Sequence, residues 1–298
     1  MTSVLERLSS LNVWQRGSER APHKPLLVLL ALGAFSRGER SLSFAEVEAK
    51  LGALLKEFGP PRKATHPEYP FWRLQKDDGL WVVTADQPLR GRQSGDGPPV
   101  SELRAALARG AFSQSVQDEL LREPNSLGAA VNELLEDNFP ETLHDDIKSA
   151  IGFVEPDVAL VAPQRRRRDP NFRNAVLVAY QYRCAMCGLD LRVGSVSVGL
   201  DAAHIKWHQA RGPDTVNNGM TLCTLHHKLL DFGAFTIAPD HRVLVSEHVN
   251  GSRAVDEVLM RHHGVSVSVP HRPDEHPNPE FLDWHRREVF KERALPWR

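Results

Sequence analysis

All three cysteines of this 298-residue chain fall in one stretch, together with a histidine at metal-binding spacing. Cys184 and Cys187 form CAMC; after thirty-five intervening residues, Cys223 and His226 form CTLH. Each pair presents two soft or borderline donors across a two-residue gap, and two such pairs wrap a tetrahedral zinc whatever the chain between them does. A Cys3His set fills all four positions, so this metal is expected to be structural, with no open position for chemistry. Buried free thiols are the plainer alternative for the same residues.

A second set interleaves with the first. LDAAHI and GPDTVNNGMTLC lie between the two pairs and His227 directly follows the last ligand, giving the order His204, Asn218, His227. A strand ending in a histidine, a loop holding an asparagine and a helix starting near a second histidine make a ββα-metal arrangement. The chemistry that suits it is phosphodiester hydrolysis, which needs a base to activate water and a cation to neutralise charge on the phosphoryl and leaving oxygens. His204 is the candidate base, because imidazole titrates near neutrality. His227, fixed beside a zinc ligand, is the candidate holder of a catalytic divalent cation, magnesium or manganese.

Through DAAHI, GPDTVNNG, LCTLHH and LLDFG, residues 170–240 resemble the HNH endonuclease family, in particular its McrA-like branch. The resemblance implies that Asn218 orients the loop and the base, with Asn217 as its less favoured substitute. It also implies an acidic metal ligand directly before the base, where this chain has Ala203. Asp201 is the nearest carboxylate and is assigned to the catalytic metal with His227; Asp231 is the other candidate, expected rather to cap or brace the helix that carries His227.

These residues need elements to hold them. NFRNAVLVAYQYRC reads as a helix entering the zinc knuckle, and FTIAP and HRVLVS read as strands around a turn. Upstream, Pro25 opens the strongly apolar LLVLLALGAF, expected to be the central helix of a first domain. In SLSFAEVEAKLGALLKEFG, Ser43 and Glu46 make a capping-box signal and Gly59 a stop. FWRL, QKDDG and LWVV predict a hairpin with an Asp-Gly turn, and SELRAALARGAF and LGAAVNELLEDNF predict amphipathic helices. The fold class is therefore α+β: a mainly helical, winged-helix-like recognition domain with a β-hairpin over 1–154, a basic linker over 155–170 containing Arg165 to Arg168, and an HNH domain with its zinc knuckle over 171–298.

RAPHKPLLVLLALG and HPEYPFWRLQKDDGLW resemble the sulfur-binding domain of type IV, phosphorothioate-dependent McrA-like restriction endonucleases. The resemblance implies double-stranded DNA with sulfur in place of a non-bridging phosphate oxygen. Sulfur is larger, more polarisable and less hydrated than oxygen, so an apolar cavity accepts it and discriminates against a hydrated oxygen. Tyr69 and Pro70 are the first choices for that cavity, with Phe71 and Trp72 beside them. Arg20, His23, Lys24 and Arg73 are candidates for the backbone or base edges around the sulfur. Phe71 and Trp72 alternate with Leu74, so part of this segment must be core, and Lys24-Pro25 also reads simply as a helix start.

Net charge is −1, which alone points to no nucleic-acid partner. Its distribution is uneven: residues 16–92 hold thirteen Lys/Arg against nine Asp/Glu, 101–146 three against ten, and 160–192 seven against two. Two basic regions flanking an acidic one suit two DNA-facing surfaces, although charge blocks are as often solvated faces. No apolar run approaches the roughly 20 residues of a membrane span, and the N-terminus has no secretory pattern, so a reducing, cytoplasmic setting without a membrane partner is expected. A homodimer would serve double-strand cutting, but no residue specifies one. The alternatives are an HNH endonuclease that reads methylcytosine or no modification, and a zinc-knuckle DNA-binding protein without catalysis.

Overall fold

The computed structural model describes residues 3–13, 17–91, 97–155 and 170–296, so the Arg165–Arg168 run lies outside the described residues. The chain divides into two compact units, Met1–Arg16 with Ala21–Gln164 and Gly17–Arg20 with Arg165–Arg298. Among the described residues no helix is long and apolar enough to cross a membrane.

In the first unit, α1 (Val4–Ser9) precedes α2 (His23–Ser36), which is buried from Pro25 to Phe35. An all-round apolar sequence must be enclosed on every side, and α3, α4 and α7 pack around α2. β1 (Leu42–Ser43) leads into α3 (Phe44–Phe58) through the capping box: Ser43 Oγ accepts from the Glu46 amide and the Glu46 carboxylate accepts from the Ser43 amide. Then follow α4 (Glu68–Arg73), a 3-10 turn at Leu74–Lys76, β2 (Trp81–Thr84), α5 (Val100–Ala105), β3 (Arg109–Phe112), α6 (Gln114–Arg122), α7 (Pro124–Asn138) and α8 (His144–Ala150). The strands form an antiparallel sheet in the order β1-β3-β2, with Leu42 opposite Gly110 and Trp81 opposite Phe112.

Two segments differ from their sequence reading. FWRL is helical, not the first strand of a hairpin, because Phe71 and Leu74, three residues apart, are both fully buried and share one helical face. The Asp78-Gly79 turn does form, with φ of 40° and 63°, but it joins that helical segment to β2. The second strand comes from RGAF, read above as the end of a helix. α5 stops at Ala105, Leu107 takes a φ of 49°, and β3 runs down the middle of the sheet. A Cβ at Gly110 would lie 2.2 Å from the Trp81 ring, so only glycine lets β3 pass under it.

In the second unit, α9 (Pro170–Ala179) is followed by the small hairpin β4 (Arg192–Val193) and β5 (Val196–Ser197), then β6 (Leu200–His204), β7 (Gly219–Cys223) and α10 (Thr224–Asp231). β6 and β7 are antiparallel, with Leu200 opposite Cys223 and His204 opposite Gly219, so β6, β7 and α10 make the ββα unit. β8 (Phe235–Ile237) pairs with β9 (Val243–Val245), and α11 (Arg253–Val258) and α12 (Pro279–Glu288) complete it. Its core runs through Val176, Leu177, Met220, Leu222, Leu230, Phe235 and Leu282.

Candidate active site

The knuckle is built by two tight turns brought together by β7. After α9 the chain reverses with positive φ at Gln181 and Tyr182, and the Cys184 carbonyl accepts from the Gly188 amide, which curls Cys187 back beside it. The Ala185 amide donates to the Thr221 carbonyl (2.8 Å), fixing this turn to β7. Cys223 caps α10 and His226 lies in its first turn. The ligand atoms of Cys184, Cys187, Cys223 and His226 all lie within 4.8 Å of one another.

The chemistry of this donor set fits zinc. His226 Nε2 lies 2.9 Å from the Val258 carbonyl, which can only accept, so the ring proton sits there and Nδ1 carries the lone pair. That Nδ1 is 3.2 Å from Cys223 Sγ and 3.6 Å from Cys184 Sγ. The Cys223 thiol, hydrogen-bonding to Cys184, pulls the Cys184 thiol down to about 3. The same pairing pushes Cys223 up, and burial raises Cys187. One thiolate at Cys184 thus disfavours ionisation of its two neighbours, and a bound cation is what would let all three be thiolates.

Beside the knuckle, His227 is flanked by two carboxylates. Its Nδ1 is 3.5 Å from Asp201 Oδ2 on β6, and its Nε2 is 3.3 Å from Asp231 Oδ2, one helical turn on. Asp231 is 3% exposed. Asp231 faces the ring nitrogen opposite to the one that faces Asp201, so it supports His227 from behind, as the expected brace would, and leaves Nδ1 and Asp201 as the candidate ligand pair. The sequence held that signal, since residues i and i+4 share a helix face. An imidazole nitrogen with a hard carboxylate oxygen from Asp201 suits magnesium or manganese.

His204 ends β6 and stacks on Phe172 of α9, with ring centroids 4.2 Å apart and planes 17° from parallel. Its Nε2 is 2.7 Å from Asp214 Oδ1, a residue the sequence reading did not single out. Asn218 is fully buried, and its hydrogen bonds go to the backbone rather than to the base. Oδ1 accepts from the Lys206 amide (2.9 Å), and Nδ2 donates to the carbonyls of Lys206 (3.0 Å) and Pro213 (2.9 Å). It therefore clasps the loop and acts on His204 only through it. Asn217 accepts instead from the Thr215 hydroxyl.

In the first unit, Tyr69 is half-buried on α4, its ring stacked on His66 at 5.1 Å with the Arg73 guanidinium 5.0 Å from its centroid. Pro70 is buried, Trp72 half-buried and Arg73 exposed. His23, at the start of α2, has its pKa lowered by burial and then by His66 and Arg62. Tyr69, Arg73, His23, His66 and Arg62 thus form one neighbourhood, of which His66 and Arg62 were not foreseen. Three candidates are engaged elsewhere. Phe71 is fully buried, 5.1 Å from Phe44 and 6.3 Å from Trp81, and is core. Lys24 Nζ is 2.6 Å from Asp77 Oδ2 and 2.8 Å from the Asn12 carbonyl, an ion pair that anchors α2. Arg20 belongs to the second unit, its guanidinium 3.9 Å over Trp207 and hydrogen-bonded to the Glu288 carbonyl.

Residues 1–156 match the family described as "ScoMcrA-like, DNA sulfur-binding domain" and residues 184–238 match "HNH endonuclease". No curated protein matches the chain. Among solved structures, the sulfur binding domain of ScoMcrA complexed with phosphorothioated DNA is 22% identical over 51% of this chain and 96% of that one, with a TM-score of 0.45. The corresponding SprMcrA complex is 24% identical over 50% and 91%, with a TM-score of 0.41. The type IV phosphorothioation-dependent restriction endonuclease ScoMcrA is 22% identical over 58% of this chain and 33% of its own, with a TM-score of 0.43.

Proposed function

Because the chain belongs to the ScoMcrA-like DNA sulfur-binding domain family and carries an HNH endonuclease domain, we propose that this modification-dependent DNA endonuclease reads phosphorothioate links and cuts nearby. The observation that carries the nuclease half of this reading is His227 held between Asp201 and Asp231 in a ββα unit. Cys184, Cys187, Cys223 and His226 would hold a closed structural zinc. Asp201 and His227 would hold a magnesium or manganese ion, which when bound would neutralise charge on the phosphoryl and leaving oxygens, while Asp231 orients the His227 ring from its other nitrogen. His204 takes the proton of the attacking water as the new P–O bond forms and the old one breaks. Asn218 keeps the loop beside His204 in place. In the first unit, Tyr69 and Pro70 offer the apolar wall for sulfur, and Arg73 and His23 the polar surroundings.

The test compares binding of matched duplexes carrying phosphorothioate, methylcytosine or neither, followed by cleavage with magnesium or manganese. Preference for the sulfur duplex, with cleavage abolished in His204→Ala while binding persists, is the expected result. Equal binding of all three duplexes would sink the sulfur reading, and preference for methylcytosine would replace it. No cleavage of any bound duplex with either metal would leave a binding protein.

A further inference from the structure

Asp214 is assigned no role by the matched families' descriptions, yet it is the residue that meets the candidate base edge-on. Its Oδ1 lies 2.7 Å from His204 Nε2, within the range of a charge-assisted hydrogen bond. The imidazole is also fixed in plane by its stack on Phe172. Both chain segments that carry the pair are tied to one side chain: Asn218 bonds the backbone at Lys206, two residues after His204, and at Pro213, directly before Asp214. Between them the chain closes so tightly that a Cβ on Gly212 would lie 1.8 Å from the Lys206 carbonyl oxygen and 2.8 Å from Asn218 Nδ2. Arg211 supports that turn with a left-handed φ of 62°. Asn218 is completely buried, so this clasp sets the spacing of His204 and Asp214 from within the fold.

From this geometry we infer that Asp214 is the positioning residue of the base: its carboxylate keeps the His204 ring proton on Nε2, making Nδ1 the nitrogen that receives the proton of the attacking water. An ionised carboxylate only accepts, so a neutral imidazole paired with it must carry its proton on the facing nitrogen. A wrong tautomer would present an N–H to the water instead of a lone pair, and holding the right one is what an orienting carboxylate does for a catalytic histidine. The inference rests on the reading of His204 as the base and adds to it which nitrogen acts and what holds it.

The experiment uses the full-length, zinc-loaded chain with no DNA bound. Long-range 1H–15N correlation at about pH 8, where an ordinary imidazole with pKa of roughly 6.5 is neutral, reads the tautomer of His204, assigned by subtraction of the His204→Gln spectrum. The expected result is Nε2–H in the wild type and a mixed or reversed tautomer in Asp214→Asn. Cleavage of a phosphorothioate-bearing plasmid with manganese supplies the second arm. There Asp214→Asn should lower kcat about tenfold or more with KM unchanged, and Asp214→Glu should recover part of it. Nδ1–H in the wild type would overturn the inference. So would a wild-type rate in Asp214→Asn when His204→Ala is inactive, an outcome that leaves the base itself standing. A wild-type rate in His204→Ala would remove the base reading and Asp214's role with it.

Discussion

His226 and His227 are neighbours on α10, yet their rings face different groups. His226 Nδ1 lies 3.2 Å from Cys223 Sγ, whereas the two nitrogens of His227 lie 3.5 Å and 3.3 Å from carboxylate oxygens of Asp201 and Asp231. Successive residues on an α-helix project about 100° apart, so one helical turn points one ring at cysteine sulfurs and the next at carboxylates. Substitution at the two positions should separate the two metals.

His226→Ala and Cys223→Ser should each lose about one equivalent of zinc and the cooperative unfolding transition of the second unit, because binding free energy at a structural zinc is folding free energy. His227→Ala should keep the zinc and the transition and lose cleavage by about a hundredfold or more. Metal analysis and calorimetry on the same samples read both. Full zinc content in Cys223→Ser would count against the Cys3His site.

Asp201→Asn and Asp231→Asn test the two carboxylates against His227. Each should raise the magnesium concentration for half-maximal cleavage by about 10- to 100-fold, the scale of losses at metal-supporting residues. Titrating the metal at fixed DNA concentration gives the answer directly. A variant with an unchanged titration contributes nothing to that ion, and its carboxylate is then only a partner of the histidine.

Tyr69 and Phe71 sit two residues apart on α4, Phe71 fully buried and Tyr69 half-buried. Phe71→Ala should cost the first unit about 3–5 kcal/mol, the usual scale for emptying a buried phenylalanine site, seen as a lowered midpoint in denaturant. Tyr69→Ala, on a half-buried ring, should leave that midpoint nearly unchanged and erase the preference for sulfur-modified duplexes in competition binding. Retained preference would refute the cavity assignment.

His285 on α12 is 1% exposed; Nδ1 accepts from the Thr236 hydroxyl and Nε2 donates to the Leu230 carbonyl. Burial pushes its pKa down to about 4. The folded chain thus holds the ring neutral while the unfolded chain protonates it near 6.5. Stability is fully present above about pH 6.5 and is lost as pH falls toward 4, by about 3 kcal/mol at most. His285→Gln should flatten that part of the stability–pH profile of the second unit in urea titrations at several pH values. Parallel profiles for the two proteins would dismiss His285 as its source.

Local signals in the sequence determined much of this molecule. The two-residue gaps of CAMC and CTLH specify tight turns that gather their side chains, because each gap is a property of one turn, and the Ser43–Glu46 box specifies a helix start because its partners are three residues apart. The ββα frame that carries His204, Asn218 and His227 was legible for the same reason, each element lying in a short segment of characteristic pattern. Tertiary structure decided what depended on distant partners. FWRL has residues suited to a strand, but Phe71 and Leu74 found a core on one helical face, and the strand beside β2 came from RGAF, where Gly110 passes under Trp81. Lys24 was drawn into an ion pair with Asp77, fifty-three residues away, and Arg20 onto Trp207. Asp214 stands beside His204 across a loop that a buried Asn218 ties together. Spacing along the chain picks out the candidate residues; the packing of β6, β7 and α10 with the loop between the strands decides which carboxylate each histidine meets.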